Sequence, residues 1–163
     1  MGRSGVKDFQ GVPMAQSGTT VYSGRFEHTL DDKNRLTIPS LWRWAHTDTE
    51  TFLAIPHPDS YISVLPPARV ARLLGQVAEM KLSDREAQAV KARIFADALS
   101  FTFDKQGRFG VSADLLRHAA IARDAVLCGM GDTFNIMSPP RWQDLQRSTA
   151  GENFGDMMRR IGL

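Results

Sequence analysis

Two short segments of the chain, one in each half, repeat one pattern of an acidic residue, a polar turn and an arginine. The first is Asp31-Asp32-Lys33-Asn34-Arg35 and the second is Asp104-Lys105-Gln106-Gly107-Arg108. Alternating apolar residues lead into and out of both segments, which is typical of two strands joined by a turn. The two segments are 73 residues apart, and at the same separation the doublet Pro66-Pro67 matches Pro139-Pro140. These matches indicate an internal duplication.

The length of the chain constrains how the two copies fold. A chain of 163 residues fits one domain. Each repeat, at roughly 45 residues, is too small to bury a stable core alone. We therefore expect an α+β fold in which both repeats share one core as a pseudo-two-fold unit.

Turn residues and composition divide the chain into five predicted parts. Residues 1–22 are rich in Gly, Ser, Thr and Gln and are expected to form a flexible tail. The first repeat with its trailing helix covers 23–82, and a linking helix covers 83–96, begun by the capping box Ser83-Asp84-Arg85-Glu86. The second repeat covers 97–146. Residues 147–163 form a tail or a short amphipathic helix with Phe154, Met157, Met158 and Ile161 on one face.

Charge and the reactive residue types exclude several functional classes. The net charge is only +2, so a basic surface must come from arrangement rather than from composition. His28, His46, His57 and His118 are scattered without the spacing of a metal site, and the single cysteine, Cys128, is expected to be a small buried side chain. Since no nucleophile constellation or phosphate-binding glycine loop is present either, we predict no catalytic residues, no metal and no cofactor.

Targeting signals are also missing from the sequence. Residues 1–22 lack the apolar run of a signal peptide, and no segment reaches the length of a membrane span. We therefore predict a cytoplasmic protein with no membrane partner and no small-molecule substrate.

The two turns are the candidate site. Gly107 permits a positive φ without steric cost and Asn34 is the next best tolerated residue, while Asp31 and Asp104 can accept hydrogen bonds from turn amides. We assign Asp31, Asp104 and Gly107 structural roles in the turns. Arg35 and Arg108 present guanidinium groups that match guanine or phosphate, and Lys33 and Lys105 supply charges for phosphates. From spacing alone, each arginine could instead pair with its aspartate as a clamp.

The stretch from Gly24 to Pro39 resembles the start of the MraZ family, bacterial regulators built from two AbrB-like half-modules. The second copy matches through Asp104 to Arg108, Val126 to Gly129, Phe134 and Trp142. The similarity covers roughly residues 23 to 146 and departs from the family at Asn34, which usually is glycine, at Ser112, where the first copy has Pro39, and in about twenty extra N-terminal residues.

The resemblance implies a fold and a function. The fold is two tandem SpoVT-AbrB-like β-α-β repeats in one pseudo-two-fold double-psi or swapped-hairpin barrel flanked by helices. The function is a nucleoid-associated, ring-like homo-oligomer that binds repeated promoter boxes and represses the cell-division and cell-wall gene cluster. The implied DNA contacts are Lys33, Asn34, Arg35, Lys105 and Arg108. The resemblance favours DNA contact over the clamp for Arg35, whose side chain should then face solvent, and leaves the two roles of Arg108 open.

A second class of function stays open, namely a protein-interaction subunit without DNA affinity, such as an antitoxin-like or scaffold oligomer. The duplication argues against it, because antitoxins usually carry one copy and a long disordered extension. Trp42 and Trp44 lie two apart on one predicted helix and so point in different directions. We expect one of them to contact another subunit.

Overall fold

The computed structural model describes residues 20–81 and 85–163. Its elements, in chain order, are β1 (Arg25–Thr29), β2 (Arg35–Thr37), α1 (Ser40–Arg43), β3 (Phe52–His57), β4 (Tyr61–Leu65), α2 (Pro67–Ala78), α3 (Arg85–Ala96), β5 (Leu99–Phe101), β6 (Arg108–Gly110), α4 (Ala113–His118), β7 (Asp124–Gly129), β8 (Phe134–Met137), α5 (Pro139–Ser148) and α6 (Glu152–Arg160). The order β-β-α-β-β-α therefore occurs twice. Helix α3 stands between the two series and α6 follows the second.

The strands form a six-stranded sheet in the order β1-β7-β8-β4-β3-β5 and a two-stranded ribbon of β2 and β6. Every pair in both is antiparallel. The order of the large sheet is a palindrome when each strand of the first series is equated with its counterpart in the second. Because β1 pairs with β7, β5 with β3, β4 with β8 and β2 with β6, the two halves share one folding unit. This topology confirms the α+β class.

The predicted closed barrel is not formed by the part of the chain that the structure describes. β2 and β6 pair with each other and stand apart from the large sheet. The large sheet consequently ends at β1 on one side and β5 on the other, and these edge strands do not pair with each other. The observed architecture is an antiparallel sheet faced by a ribbon and flanked by helices.

The main core lies between the large sheet and the ribbon. Leu36 and Phe109 of the ribbon and Ile62 and Ile136 of the sheet are all buried within it. Trp42 of α1 is fully buried there and donates its indole N–H to the Ser23 carbonyl at 3.0 Å. The buried faces of β2 and β6 thus anchor the ribbon, and both candidate turns stand at its ends.

The register of the central strands corrects one detail of the sequence comparison. Helix α2 begins at Pro67 and α5 at Pro139, so these two prolines correspond, and the same offset makes Ser63 and Asn135, which pair with each other, equivalent residues. The two proline doublets are therefore out of step by one position. The difference lies in the two hairpin turns. Three residues follow the last pair of β3 and β4, His57 and Tyr61, whereas Met130 N–H donates to the Thr133 carbonyl beyond β7 and β8 and leaves only two.

The structure describes the predicted N-terminal tail and the predicted capping box only in part. Residues 1–19 of the predicted tail, and Ser83 and Asp84 of the predicted capping box, lie outside the described residues. Tyr22, at the end of the predicted tail, is buried, and its N–H donates to the Gly131 carbonyl at 2.6 Å. At the other end, α6 provides the short helix that was one of two alternatives. None of the helices in the described ranges is both long and apolar enough to span a membrane.

Candidate nucleic-acid interface

The first turn is organised by the carboxylate of Asp31. Its Oδ1 atom accepts hydrogen bonds from the backbone N–H groups of Lys33 at 2.9 Å and Arg35 at 2.8 Å. Its Oδ2 atom accepts from the Arg35 Nε at 2.7 Å. The backbone closes through Asn34 N–H to the Asp31 carbonyl at 3.0 Å, and Asn34 has a φ of 56°. Asparagine thus takes the left-handed conformation that glycine adopts freely.

The second turn repeats this geometry atom for atom. Asp104 Oδ1 accepts from the backbone N–H groups of Gln106 and Arg108, both at 2.9 Å, and Oδ2 accepts from the Arg108 Nε at 2.9 Å. Gly107 holds the left-handed position with a φ of 76°. The duplicated spacing in the sequence therefore corresponds to a duplicated turn.

The ribbon places the two arginines on one face. Arg35 lies opposite Gly110 and Thr37 lies opposite Arg108. Because residues directly opposite each other, and residues two apart on a strand, share a face, both arginines point away from the buried side of Leu36. The turns are also tied across the repeats, by Ile38 N–H to the Gly107 carbonyl and Val111 N–H to the Asn34 carbonyl, both at 2.9 Å.

The arginines and aspartates form one electrostatic cluster. Desolvation raises the pKa of Asp31, but the hydrogen bonds and charge of Arg35 outweigh it and lower this pKa to about 2. The backbone hydrogen bond from Arg108 likewise lowers the pKa of Asp104. Both carboxylates are therefore ionised at neutral pH, and each holds one edge of its guanidinium in place.

In this geometry Arg35 can pair with Asp31 and still contact a ligand. Asp31 takes only the Nε edge of Arg35, and the two terminal amino groups of Arg35 have no hydrogen-bond partner among the described residues. Arg108 also donates from Nη2 to the Gln106 side chain at 3.1 Å. The Arg35 side chain is 29% exposed, which is less than the solvent-facing position expected from sequence. The side chain lies on the face of the ribbon that is turned away from the buried Leu36.

The remaining predicted contacts lie at the turn tips. Lys33, Asn34 and Lys105 are exposed. The structure therefore brings together two lysines, one asparagine and two clamped arginines in adjacent turns. Such a set of donors suits an anionic, planar or phosphate-bearing ligand.

Arg43 also belongs to this region, although nothing in the sequence predicted it. It extends from α1, donates from Nε to the Ile38 carbonyl at 2.7 Å, and covers Gly107 of the second turn. A Cβ atom on Gly107 would clash with the Arg43 guanidinium. No pattern in the sequence links these two residues, since Arg43 reaches Gly107 only through the fold.

A second polar constellation has the composition of a catalytic triad. The Tyr22 hydroxyl lies 2.5 Å from His46 Nε2, and His46 Nδ1 lies 3.2 Å from Glu50 Oε2. However, Tyr22 is buried, and this burial, with a smaller effect of the Glu50 charge, raises the pKa of its hydroxyl. The arrangement thus joins Tyr22, which forms a β-bridge with Gly131, to His46 and Glu50 in the segment after α1. Within residues 20–81 and 85–163, no group of three or more His, Cys, Asp or Glu side chains could hold a metal ion.

The chain is similar to known proteins over most of its length. Residues 94–161 match a family model described as "MraZ protein, putative antitoxin-like". A protein of Leuconostoc citreum named transcriptional regulator MraZ is 32% identical over 84% of this chain and 94% of its own length. Proteins of the same name from Lactiplantibacillus plantarum (32% identical, 86% of this chain and 98% of the relative) and Thermomicrobium roseum (31%, 75% and 84%) also match.

These relatives are named as regulators of transcription, which is not a class of enzyme. The similarity runs through both turns and both series of elements rather than through one half. Because it reaches this identity over almost the whole length of the relatives, the chain belongs to the MraZ family of transcriptional regulators.

Proposed function

We propose that the chain is a sequence-specific DNA-binding regulator that represses the cell-division and cell-wall gene cluster by binding repeated promoter boxes as a ring-like oligomer. The observation that carries the DNA-binding part is the common face of Arg35 and Arg108 on one ribbon, with the Arg35 terminal groups unengaged. The repressed cluster, the promoter boxes and the ring rest on the family resemblance. In this proposal 23–82 and 97–146 are the two AbrB-like repeats.

The ribbon is suited to a DNA groove. A two-stranded β-ribbon fits the major groove, which is about 12 Å wide, and a guanidinium can bind guanine O6 and N7 in a bidentate manner. Asp31 and Asp104 fix the guanidinium orientation before binding, which reduces the entropy lost when the contact forms. Lys33 and Lys105 at the tips are placed for phosphates on either side of the bases.

The small net charge of +2 requires repetition of the site. One pair of turns neutralises few phosphates, and each neutralised phosphate contributes a slope of about −0.9 in the salt dependence of the binding constant. Tethered copies raise the effective concentration of the next contact. A homo-oligomer that presents several ribbons is therefore part of the proposal, together with a cytoplasmic, nucleoid-associated location and the absence of a catalytic step or cofactor.

The alternative is an antitoxin-like or scaffold oligomer that binds a protein and not DNA. It is favoured by two exposed apolar side chains, Leu41 of α1, which is 50% exposed, and Trp44 directly after α1, which is 79% exposed. Trp44, and not the buried Trp42, is the tryptophan that could meet another chain. The two functions differ in whether Arg35 or Trp44 governs binding.

The test is a fluorescence-anisotropy titration with DNA from upstream of the protein's own gene and a scrambled control, at two salt concentrations. Wild type should bind the native DNA in a salt-sensitive way, and Arg35→Ala should lose this preference. Arg147→Ala is the matched control, because Arg147 is an exposed arginine on α5, outside the ribbon. Equal weak binding to both DNAs that Arg35→Ala leaves unchanged would reject DNA recognition and favour the protein-binding alternative.

A further inference from the structure

An open apolar groove lies between strands β3 and β4 and helices α2 and α3 of the first half and helix α4 of the second, and no residue of the two turns lines it. It has a volume of about 960 Å³. Its floor includes Ile55 and Leu65 of the sheet, and its walls include Leu73 of α2 together with Val90 and Ile94 of α3. Helix α2 has no buried residue although it is strongly amphipathic, and Val90 is 48% exposed. This part of the chain leaves an apolar surface uncovered.

The second half closes the equivalent surface with a larger side chain. There Trp142 and Leu145 of α5 pack against the buried Val126, Cys128 and Met137. When α2 and α5 are aligned on their first residues, Pro67 and Pro139, Leu145 corresponds to Leu73 and Trp142 corresponds to Val70. The first half thus has a valine where the second has a tryptophan, one helical turn before Leu73 of the groove.

The C-terminal part of the chain has an apolar helix face that is largely exposed. Phe154, Met157 and Met158 of α6 and Ile161, which caps the helix, follow the spacing i, i+3, i+4 and i+7, which is typical of one apolar stripe. Phe154 is 50% exposed, Met157 46% and Ile161 71%. Long, flexible methionine side chains are well suited to filling an irregular apolar groove.

We propose that α6 of one copy of this chain docks in the groove of a second copy. The two surfaces offer one pair of opposite charges, while Arg93, His118 and the ion pair of Arg117 with Asp114 also line the groove. Arg160 closes α6 and Asp97 lies at the rim of the groove, and neither forms an ion pair with another side chain in the described residues. Docking would bring an arginine to a carboxylate while the apolar stripe enters the groove.

The position of α6 explains why the occupant is a second copy. α6 follows α5 after a short connection, and α5 lies against β7. β4 and β3, which border the groove, lie two and three strands away from β7. These separations amount to about 10 and 14 Å across the sheet. The helix therefore begins beside the strands of the second half and not over its own groove.

This contact has consequences for assembly. A nine-residue helix is only about 13 Å long, and covers less than the roughly 800 Å² per partner of a standard interface. Each copy, however, can make the contact twice, once with its groove and once with its α6. Such a head-to-tail contact leads to a closed ring if the rotation between copies closes, and to a filament if not. The inference rests on the oligomer of the proposed function and adds the surfaces through which copies touch.

The first test is disulfide trapping between two variants of the full chain in which the native Cys128 is replaced by alanine, so that the only cysteine is Val90→Cys in the groove or Met157→Cys on α6. We expect a covalent dimer on a non-reducing gel when the two variants are mixed, and at least tenfold less from either variant alone. Equal yields from one variant alone would overturn the head-to-tail contact. A double variant that forms only an intramolecular bond would overturn the choice of a second copy.

The second test measures particle size by light scattering for Val90→Asp, Met157→Asp and the control Met130→Asp, whose side chain is 51% exposed on the connection between β7 and β8. The first two should give smaller particles and the control should match wild type, with all three melting cooperatively. A monomeric wild type, unchanged particles in both variants, or a small apolar molecule found in the groove by native mass spectrometry would overturn the proposal.

The DNA titration is run on the same samples, so that the docking of α6 and the DNA recognition can be rejected independently of each other. DNA binding by wild type with particles that Met157→Asp leaves unchanged retains the regulator and removes the docking. Smaller particles in Met157→Asp and Val90→Asp, without any DNA preference in wild type, retain the docking and remove the proposed DNA recognition.

Discussion

The Arg108 Nη1 atom lies 3.9 Å from the Asp31 Oδ2 atom, so the arginine of the second turn reaches the carboxylate of the first. Arg108 is also bound to its own Asp104 at 2.9 Å, and Asp31 to its own Arg35 at 2.7 Å. Four charges from the two halves of the chain thus form one cluster on the ribbon. A change in either turn is consequently expected to affect the other.

Arg108→Ala should weaken binding to the native promoter DNA by about ten- to hundredfold, as should Arg35→Ala, because both side chains share the open face of the ribbon. Anisotropy titrations of both variants at one salt concentration measure this. Arg147→Ala, on α5, serves as the charge-matched control. A loss with Arg35→Ala alone would assign DNA contact to the first turn only.

Stability should fall in acid as Asp31 becomes protonated. Its pKa of about 2 in the folded protein lies below the value of about 3.9 in an unfolded chain. The ionised carboxylate therefore stabilises the fold above about pH 4, and this contribution is lost as the pH falls towards 2. Thermal melts between pH 2 and 5 should show a smaller decline for Asp31→Asn than for wild type.

Asp32→Asn is the control for this pH series. Asp32 is the exposed neighbour of Asp31, and its side chain has no hydrogen bond to the described residues. Its replacement removes the same charge from the same turn and should leave the acid decline as in wild type. An identical decline in Asp31→Asn would show that the carboxylate does not stabilise the turn.

Gly107→Ala should destabilise the fold by about 1–2 kcal/mol or more, since a Cβ is strained at a φ of 76° and would also meet Arg43. Chemical denaturation measures the loss. Repeating it in an Arg43→Ala background separates the two causes, because only the backbone strain remains there. Gly110→Ala is the control in the same ribbon, as its Cβ would be 3.9 Å from the nearest side-chain atom. Equal effects at both glycines would contradict this account.

The two tryptophans of the first half should respond oppositely to truncation. Trp42 is fully buried, so Trp42→Ala should cost about 3–5 kcal/mol of unfolding free energy. Trp44 is 79% exposed, so Trp44→Ala should change the unfolding free energy by less than about 0.5 kcal/mol. Denaturation curves measure stability, and light scattering on the same samples shows whether Trp44 contacts another copy. An unchanged particle size in Trp44→Ala would remove that role.

Cys128 should be unreactive in the folded protein. Burial raises the pKa of its thiol to about 11, although the charge of Arg25 acts in the opposite direction. At pH 8 the thiolate is therefore scarce as well as inaccessible. Alkylation followed by mass spectrometry should show little modification in buffer and complete modification in concentrated urea. Rapid alkylation in buffer would place the thiol outside the core.

Much of the local structure followed from residue type. The turn conformation at Asn34 and Gly107 was predictable, because few other residues adopt a positive φ at low cost. Helix α5 begins after Ser138, which accepts a hydrogen bond from the Arg141 N–H at 3.2 Å, as expected for a serine followed by proline. The exposure of Arg35 was less predictable, since its burial depends on how the ribbon sits against the core.

The sequence by itself determined the duplication, the α+β class, the paired turns and the chemistry of their side chains, because turn geometry and hydrophobic alternation are local and recur with their residue types. Only the tertiary structure decided that β2 and β6 leave the large sheet, that Arg43 covers Gly107, and that both arginines share a face. These relationships join segments far apart in the chain, and their energies depend on which surfaces meet in the shared core rather than on the spacing of residues along the chain.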